Sequence, residues 1–243
     1  MATAAKKNVR RGDRKSSRRA PANGRDFRLF NNNGGIAIPS WVVDHASYRR
    51  WAKSSAFPDC GWISYLDGTF WVDLSMEELK HNLIKGEYGA RLTILTKKAQ
   101  SGCYVCDNML LTNATAGLST EPDGSFFSFD ALRNGRVLLT EGVKSLEIEG
   151  SPDMALEVVS PTSVDKDTNI LMGLYWRAGV REYWLVDPRG PELSFNIFLH
   201  GPEGYVPVPK RNGWVKSEVF GKSFRLIQKA SKHGLIDYLL EVR

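Results

Sequence analysis

The chain has 243 residues, of which 42% are hydrophobic and 25% are charged, and this composition is typical of a folded globular protein. No apolar run approaches the ~18 residues of a membrane span, and the basic N-terminus is not followed by the apolar stretch of a secretory signal. Three cysteines are too few for a disulfide framework. The sequence therefore predicts a protein of the reducing cytoplasm with no membrane segment.

The net charge of +6 is concentrated at the N-terminus. Residues 1–26 hold nine Lys/Arg and two Asp and so carry +7, whereas the other 217 residues hold 24 basic and 25 acidic side chains. This segment has almost no large apolar side chains to offset the entropy of ordering, so we predict a disordered basic tail. Such a tail either stays solvated without a specific partner or contacts nucleic acid nonspecifically by counterion release.

After the tail, hydrophobic periodicity predicts alternating helices and strands. Asp44 caps the first helix, the dipeptide Asp67-Gly68 is a strong hairpin turn signal, and Ser75 with Glu78 forms a capping box at the start of the second helix. In chain order the predicted elements are a helix over 44–54, a hairpin over 61–75, a helix over 76–98, strands over 103–114, 125–129, 136–139 and 154–160, a helix over 169–180, strands over 181–188, 193–199 and 205–208, and a helix over 231–240.

The stretch 154–186 predicts the topology of a central sheet. It has the order strand, helix, strand, and this connection makes the two strands parallel neighbours with a right-handed crossover. Both strands consist largely of apolar and aromatic residues, as a sheet that is buried on both faces requires. The sequence therefore predicts an α/β fold.

The run SPDMALEVVS places carboxylates at both ends of a predicted core strand, where charge is costly unless it is paired or bound to a metal. Side chains alternate along a strand, so Asp153, Ala155 and Glu157 share one face. At ~3.3 Å per residue, the Cα atoms of Asp153 and Glu157 lie ~13 Å apart, which is too far for two ligands of one Mg²⁺. We expect Glu157 to need a carboxylate partner from another strand.

Asp123, in the segment STEPDGSFFSF, is the candidate partner. It stands at the entrance of another apolar run, and strands ~4.8 Å apart allow two carboxylates to share a cation. Pro-Asp-Gly is also an ordinary turn sequence. The residues alone leave both interpretations open.

The segments PDMALEVVS and DKDTNILMGLYWRAGVREYWLVDPRG resemble the Uma-two family, which is described as restriction-endonuclease-like. The match is dense over 152–188. It extends more loosely through LDGTFWVDLSMEELKH to cover roughly 61–227.

The resemblance implies a fold of the PD-(D/E)XK nuclease type, a mixed sheet flanked by helices with a metal site at the strand ends. By this pattern Asp123 and Glu157 would bind Mg²⁺ or Mn²⁺, and His81 or a helix acid such as Glu78 would lie at the mouth of the site. His81 would be a general base or a phosphate contact. The implied activity is hydrolysis of DNA phosphodiester bonds, and the resemblance leaves a homodimer open.

The chain departs from the family pattern at the lysine. Many members carry a lysine eight residues before the Gly of Ala-Gly-Val, where this chain has Leu171. Lys166 lies five residues earlier, about 140° around an α-helix from that position. We predict that Lys166 stabilises charge on the phosphate, and we keep two alternatives: a cleavage-deficient nucleic-acid-binding protein, and a non-enzymatic interaction protein that forms homo-oligomers.

The predicted domain organisation has four parts. They are a tail (1–26), an N-terminal extension with a short helix (27–60), the nuclease-like domain (61–227) and a C-terminal helical extension (228–243).

Overall fold

The computed structural model describes residues 27–31, 34–59, 61–231 and 233–243. The predicted basic tail, residues 1–26, lies outside the described residues. Among the described residues, no helix is long and apolar enough to cross a membrane.

Four helices and seventeen strands form the described structure. In chain order they are β1 (Phe27–Asn31), β2 (Gly34–Ile38), α1 (His45–Ala52), β3 (Trp62–Leu66), β4 (Thr69–Asp73), α2 (Leu79–Ala99), β5 (Gly102–Cys106), β6 (Leu110–Asn113), β7 (Leu118–Thr120), β8 (Gly124–Ser128), α3 (Phe129–Arg133), β9 (Val137–Leu138), β10 (Glu147–Gly150), β11 (Met154–Val158), α4 (Leu171–Arg177), β12 (Glu182–Asp187), β13 (Ser194–Gly201), β14 (Gly204–Pro207), β15 (Val215–Ser217), β16 (Lys222–Ala230) and β17 (Ile236–Val242). A 3₁₀ turn (Gly142–Lys144) precedes β10, and a π turn (Lys166–Ile170) leads directly into α4.

The central sheet has six strands in the order β14-β13-β12-β11-β8-β5. Strands β11 and β12 are parallel, as predicted, and the other pairs are antiparallel. A second six-stranded sheet has the order β4-β3-β7-β6-β10-β9, and β15, β16 and β17 form a third sheet. The expected α/β class, with mixed sheets and helices, is confirmed.

Alternation along β11 divides the core between the two faces of the central sheet. Ala155 packs in a cluster with helix α4 and the second sheet, whereas Leu156 packs with α2 and the three-stranded sheet. The buried carboxylate of Glu182 links the third sheet to the central one. It accepts hydrogen bonds from the Ser217 hydroxyl and from the backbone N–H groups of the next two residues, Glu218 and Val219. A third cluster joins α1 to the β3–β4 hairpin.

Several local predictions are confirmed and three are wrong. The Asp44 cap and the Asp67-Gly68 turn, with positive φ at both residues, are present. Helix α2 starts at Leu79 after Glu78, so the predicted Ser75 capping box is absent. The predicted strand 103–114 is two strands, β5 and β6, in different sheets.

The predicted C-terminal helix over 231–240, and with it the helical extension 228–243, is also wrong. Residues 236–242 form β17, which pairs antiparallel with β16 along its whole length. Leu240 is buried in the core beneath this sheet, so tertiary pairing decides the conformation there.

Candidate active site

Three carboxylates lie at the same level at the ends of three adjacent strands of the central sheet: Glu157 within β11, Asp107 directly after β5 and Asp123 directly before β8. The β5–β8 register pairs Cys106 with Gly124, and the β8–β11 register pairs Leu156 with Gly124. Continuing each register by one residue places Asp123 opposite both Asp107 and Glu157. The row Asp107, Asp123 and Glu157 therefore crosses one end of β5, β8 and β11, where neighbouring strands are ~4.8 Å apart.

Asp123 is fixed by the backbone of β11 and by a histidine from α2. The N–H of Val158 donates to Asp123 Oδ2 over 2.6 Å. His81 Nε2 lies 3.3 Å from the same oxygen and donates to the carbonyl of Val158 over 2.6 Å. The carboxylate is thereby held beside the residue that follows Glu157.

His81 is a buried cation in this arrangement. Burial opposes its charge, but hydrogen bonding to Asp123 and the nearby Glu77 carboxylate raise the pKa of His81 to about 10. The ligand atoms of Glu77, His81 and Asp123 all lie within 4.8 Å of one another. The raised pKa favours the protonated ring, whose single positive charge offsets part of the negative charge of the two carboxylates. The role of His81 as a general base or a phosphate contact stays a prediction.

Glu157 is the buried member of the row. Its side chain projects from β11 toward α4, where the Tyr175 hydroxyl donates to Oε1 over 2.6 Å. Burial, with the nearby carboxylates of Asp167 and Asp123, raises the pKa of Glu157 well above its usual range. Metal binding to such a group releases its proton, since a carboxylate ligand must be ionised.

A π turn separates Lys166 from Leu171. In an α-helix, residues 166 and 171 would face directions about 140° apart. Here the Leu171 N–H donates to the carbonyl of Lys166, and this i→i+5 bond widens the turn, so the angle between the two residues is smaller than in an α-helix. Leu171 is fully buried in the core, and Lys166 lines the cleft one turn before it.

The ammonium of Lys166 remains charged although the side chain is largely buried. Burial opposes the charge, but the carboxylates of Glu157, Asp167 and Asp123 more than offset it and raise the pKa of Lys166. Its Nζ lies 3.4 Å from Asp167 Oδ1. A fixed positive charge therefore stands beside the row of acids.

Asp167 is a further buried acid beside Lys166. The Ser163 hydroxyl donates to its Oδ2, whereas Oδ1 is buried without a hydrogen-bond partner. Burial raises the pKa of Asp167 to about 6. The Lys166 ammonium, 3.4 Å from Oδ1, is the positive charge that faces this oxygen.

Most of these side chains line one cleft, which Asp107 does not reach. Among the described residues, its carboxylates outnumber its two cationic side chains, Lys166 and His81. The six carboxylates are Asp73, Glu77, Glu121, Asp123, Glu157 and Asp167. Hard divalent cations such as Mg²⁺ prefer oxygen ligands, and a phosphate would be repelled here without added positive charge. The excess of carboxylate oxygens in this cleft thus fits a divalent cation.

The structure brings all four predicted site residues, Asp123, Glu157, Lys166 and His81, into this cleft. Sequence reasoning missed the acids Asp107, Glu121 and Asp167. It also named Glu78 as the helix acid at the site, but Glu77 is the acid that lies beside His81. Glu78 pairs with Lys80 instead. A signal for part of this set was present. Glu77, His81 and Lys85 recur every four residues, which aligns them on one side of a helix.

The fold and the cleft define an α/β protein with an acidic, oxygen-rich site at one end of a mixed sheet. The Uma2 family model, described as "Putative restriction endonuclease", matches residues 46–225, and the chain belongs to this family. The match begins within the predicted extension 27–60, and the division at residue 61 stays a prediction.

One similar solved structure is a "putative nuclease belonging to DUF820" from Anabaena variabilis. It has 20% sequence identity and a TM-score of 0.49, and the similarity covers 65% of this chain and 83% of that chain. No curated protein matches.

Proposed function

We propose that this protein is a metal-dependent endonuclease that hydrolyses phosphodiester bonds in DNA. The observation that carries the proposal is the placement of Asp123 and Glu157 opposite each other on adjacent strands, with the Lys166 ammonium beside them. Membership in a family described as restriction endonuclease supports the nuclease class.

Asp123 and Glu157 would hold Mg²⁺ or Mn²⁺. A bound ion of this kind supplies a Lewis acid for the phosphodiester and lowers the pKa of a coordinated water. Tyr175 and the Val158 N–H fix the two carboxylates in place, so little reorganisation is needed when the ion enters. Protein groups that are already oriented in this way cost no rearrangement during the reaction.

Lys166 would stabilise the negative charge that develops on the phosphate, since its ammonium is charged and fixed within the cleft. His81 would position Asp123 through its contacts with that carboxylate and with the carbonyl of Val158. The tail, residues 1–26, would add salt-dependent affinity for DNA without sequence choice. A homodimer would allow both strands to be cut.

A cleavage-deficient DNA-binding protein is the second candidate. It is favoured by Leu171, which occupies the position of the usual family lysine and is fully buried in the core. Under this alternative Lys166 would contribute to the packing and charge balance of the cleft, and DNA binding would not depend on Asp123 or Glu157.

Thermal unfolding with and without Mn²⁺ tests the metal site. At ~100 times Kd, an ion that binds only the native state stabilises it by ~2.7 kcal/mol, which shifts the midpoint of a chain of this size by roughly 5–10 °C. We expect this shift in the wild type and in the control Glu203→Ala, an exposed acid in the β13–β14 turn. The shift should disappear in Glu157→Ala and in Asp123→Ala.

Cleavage of supercoiled plasmid DNA in Mn²⁺ by the same variants then tests the activity. Metal-dependent nicking that both site variants lose supports the endonuclease. An Mn²⁺ shift without any cleavage, together with DNA retention by Glu157→Ala, would favour the cleavage-deficient candidate. No shift at millimolar Mn²⁺ in the wild type would contradict the metal site.

A further inference from the structure

Lys85 of helix α2 is a buried lysine surrounded by three carboxylates. Its side chain is 8% exposed, and Nζ lies 2.6 and 2.7 Å from the two oxygens of Glu77 and 2.7 Å from Asp107 Oδ2. An oxygen of the third carboxylate, Asp123 Oδ1, lies 3.7 Å away. The ammonium therefore has oxygen neighbours on several sides, as a bound cation would.

The Lys85 ammonium lies at one of the two spaces in the row of acids. Asp107, Asp123 and Glu157 stand side by side on three strands, so the row has two spaces between neighbouring carboxylates. The Lys85 ammonium contacts both acids that border the first space, Asp107 and Asp123. The second space, between Asp123 and Glu157, is the proposed ion site.

We propose that Lys85 is a built-in substitute for a second divalent cation. The centre then takes one exchangeable ion, between Asp123 and Glu157, while the ammonium pairs with Glu77 and Asp107 and positions Asp123. The count of one ion rests on the proposed function, whereas the role of Lys85 in the first space does not.

The charge and chemistry of the three carboxylates support this assignment. One ammonium offsets one charge, so Glu77, Asp107 and Asp123 together keep an excess of negative charge, which His81 and the Lys166 ammonium reduce further. Without the lysine, these three residues would form a cluster of oxygen ligands, the type that Mg²⁺ and Mn²⁺ bind. An ordinary buried ion pair has one partner and would leave no such ligand set.

The test compares Lys85→Ala with Lys85→Met, each combined with Glu157→Ala so that the proposed ion site is removed. Lys85→Ala leaves space between the carboxylates, whereas Lys85→Met also removes the charge but fills the space with a side chain of similar length. Bound Mn²⁺ per chain is counted by calorimetry and by electron paramagnetic resonance of free Mn²⁺. Thermal unfolding in the same buffers reports stability.

We expect one Mn²⁺ per chain in the wild type and none in Glu157→Ala. Adding Lys85→Ala to Glu157→Ala should restore one bound ion and a rise of several degrees in the unfolding midpoint with Mn²⁺. Adding Lys85→Met should restore neither. Equal behaviour of the two double variants would overturn the inference, and so would a Lys85→Ala chain that folds neither with nor without Mn²⁺.

The wild-type count provides a check that needs no Lys85 variant. Two bound ions, one of which is lost in Asp107→Asn, would show that the first space takes a metal despite the lysine and would refute the inference. A wild-type chain that binds no ion, with a gained site in the Lys85→Ala variant, would contradict the proposed function alone.

Discussion

Replacing Lys166 by methionine tests whether the charge supplied by the π turn takes part in the reaction. Methionine keeps most of the length and the apolar stem of lysine but removes the ammonium. The Lys166 side chain is 15% exposed and its Nζ lies 3.4 Å from Asp167 Oδ1, so the ammonium acts within a poorly solvated cleft. Loss of one preorganised group of this kind lowers kcat by about 10²–10³-fold, or about 2.7–4 kcal/mol.

The effect of Lys166→Met on stability should be much smaller than its effect on cleavage. At an effective dielectric constant of about 20, two full charges 3.4 Å apart interact by about 5 kcal/mol, but desolvation of both groups offsets much of this. Burial also raises the pKa of Asp167 to about 6, so this acid can take up a proton when the lysine is removed. The cost should therefore stay below the 3–5 kcal/mol of an ordinary broken buried pair.

The assay measures single-turnover cleavage of plasmid DNA and the Mn²⁺-dependent shift of the unfolding midpoint. We expect a 10²–10³-fold slower cleavage rate with an undiminished Mn²⁺ shift, because removing a nearby positive charge does not weaken cation binding. Lys97→Met, in the exposed last turn of α2, is the matched control and should change neither quantity. Cleavage within threefold of wild type in Lys166→Met would refute the assigned role.

Three further predictions concern the support of the site. Tyr175→Phe removes the hydroxyl that donates to Glu157, so we expect about 1–2 kcal/mol of destabilisation in urea unfolding and weaker Mn²⁺ binding; unchanged values for both would contradict this support. Asp153 is fully buried at the other end of β11, and although burial opposes its charge, its hydrogen bonds and ion pairs lower its pKa below 3.8. The ionised carboxylate therefore stabilises the fold above the unfolded-state pKa, and this stabilisation is lost as the pH falls through the folded-state pKa. In Asp153→Asn, the free energy of unfolding should depend less steeply on pH below about 4 than in the wild type. An equally steep decrease in the variant would contradict this. A Cβ at Gly124 would clash with the Tyr104 hydroxyl, so Gly124→Ala should lower the free energy of unfolding by about 1–3 kcal/mol and displace the start of β8. An unfolding midpoint equal to that of the wild type would disprove this.

The sequence predicted those parts of the fold whose signals are local. The turn residues Asp67-Gly68 and the long apolar runs of β11 and β12 were sufficient for the hairpin and for the parallel pair. The end of the chain was mistaken for a helix because its conformation depends on pairing with β16, which local periodicity does not reveal.

The part of the site that lies at the ends of neighbouring strands was predictable from the sequence. Glu157 and Asp123 each interrupt an apolar run, and placing the two runs on adjacent strands is enough to bring the acids together. Asp107 carries no comparable signal, and Lys85 carries only its four-residue spacing from His81, since an acid after an edge strand and a lysine on a helix are ordinary surface residues. Their role follows only from the register of β5 and from the side of α2 that faces the sheet.

The π turn before α4 also affects how lysines are compared across related chains. The i→i+5 bond from Leu171 to Lys166 lets a charge encoded five positions earlier approach the same region of space. A column-by-column alignment would record leucine at the usual lysine position and classify the chain as having lost the residue. Residues that replace each other in function need not share a column, so a comparison of ammonium positions in three dimensions is the better guide to which relatives retain the charge.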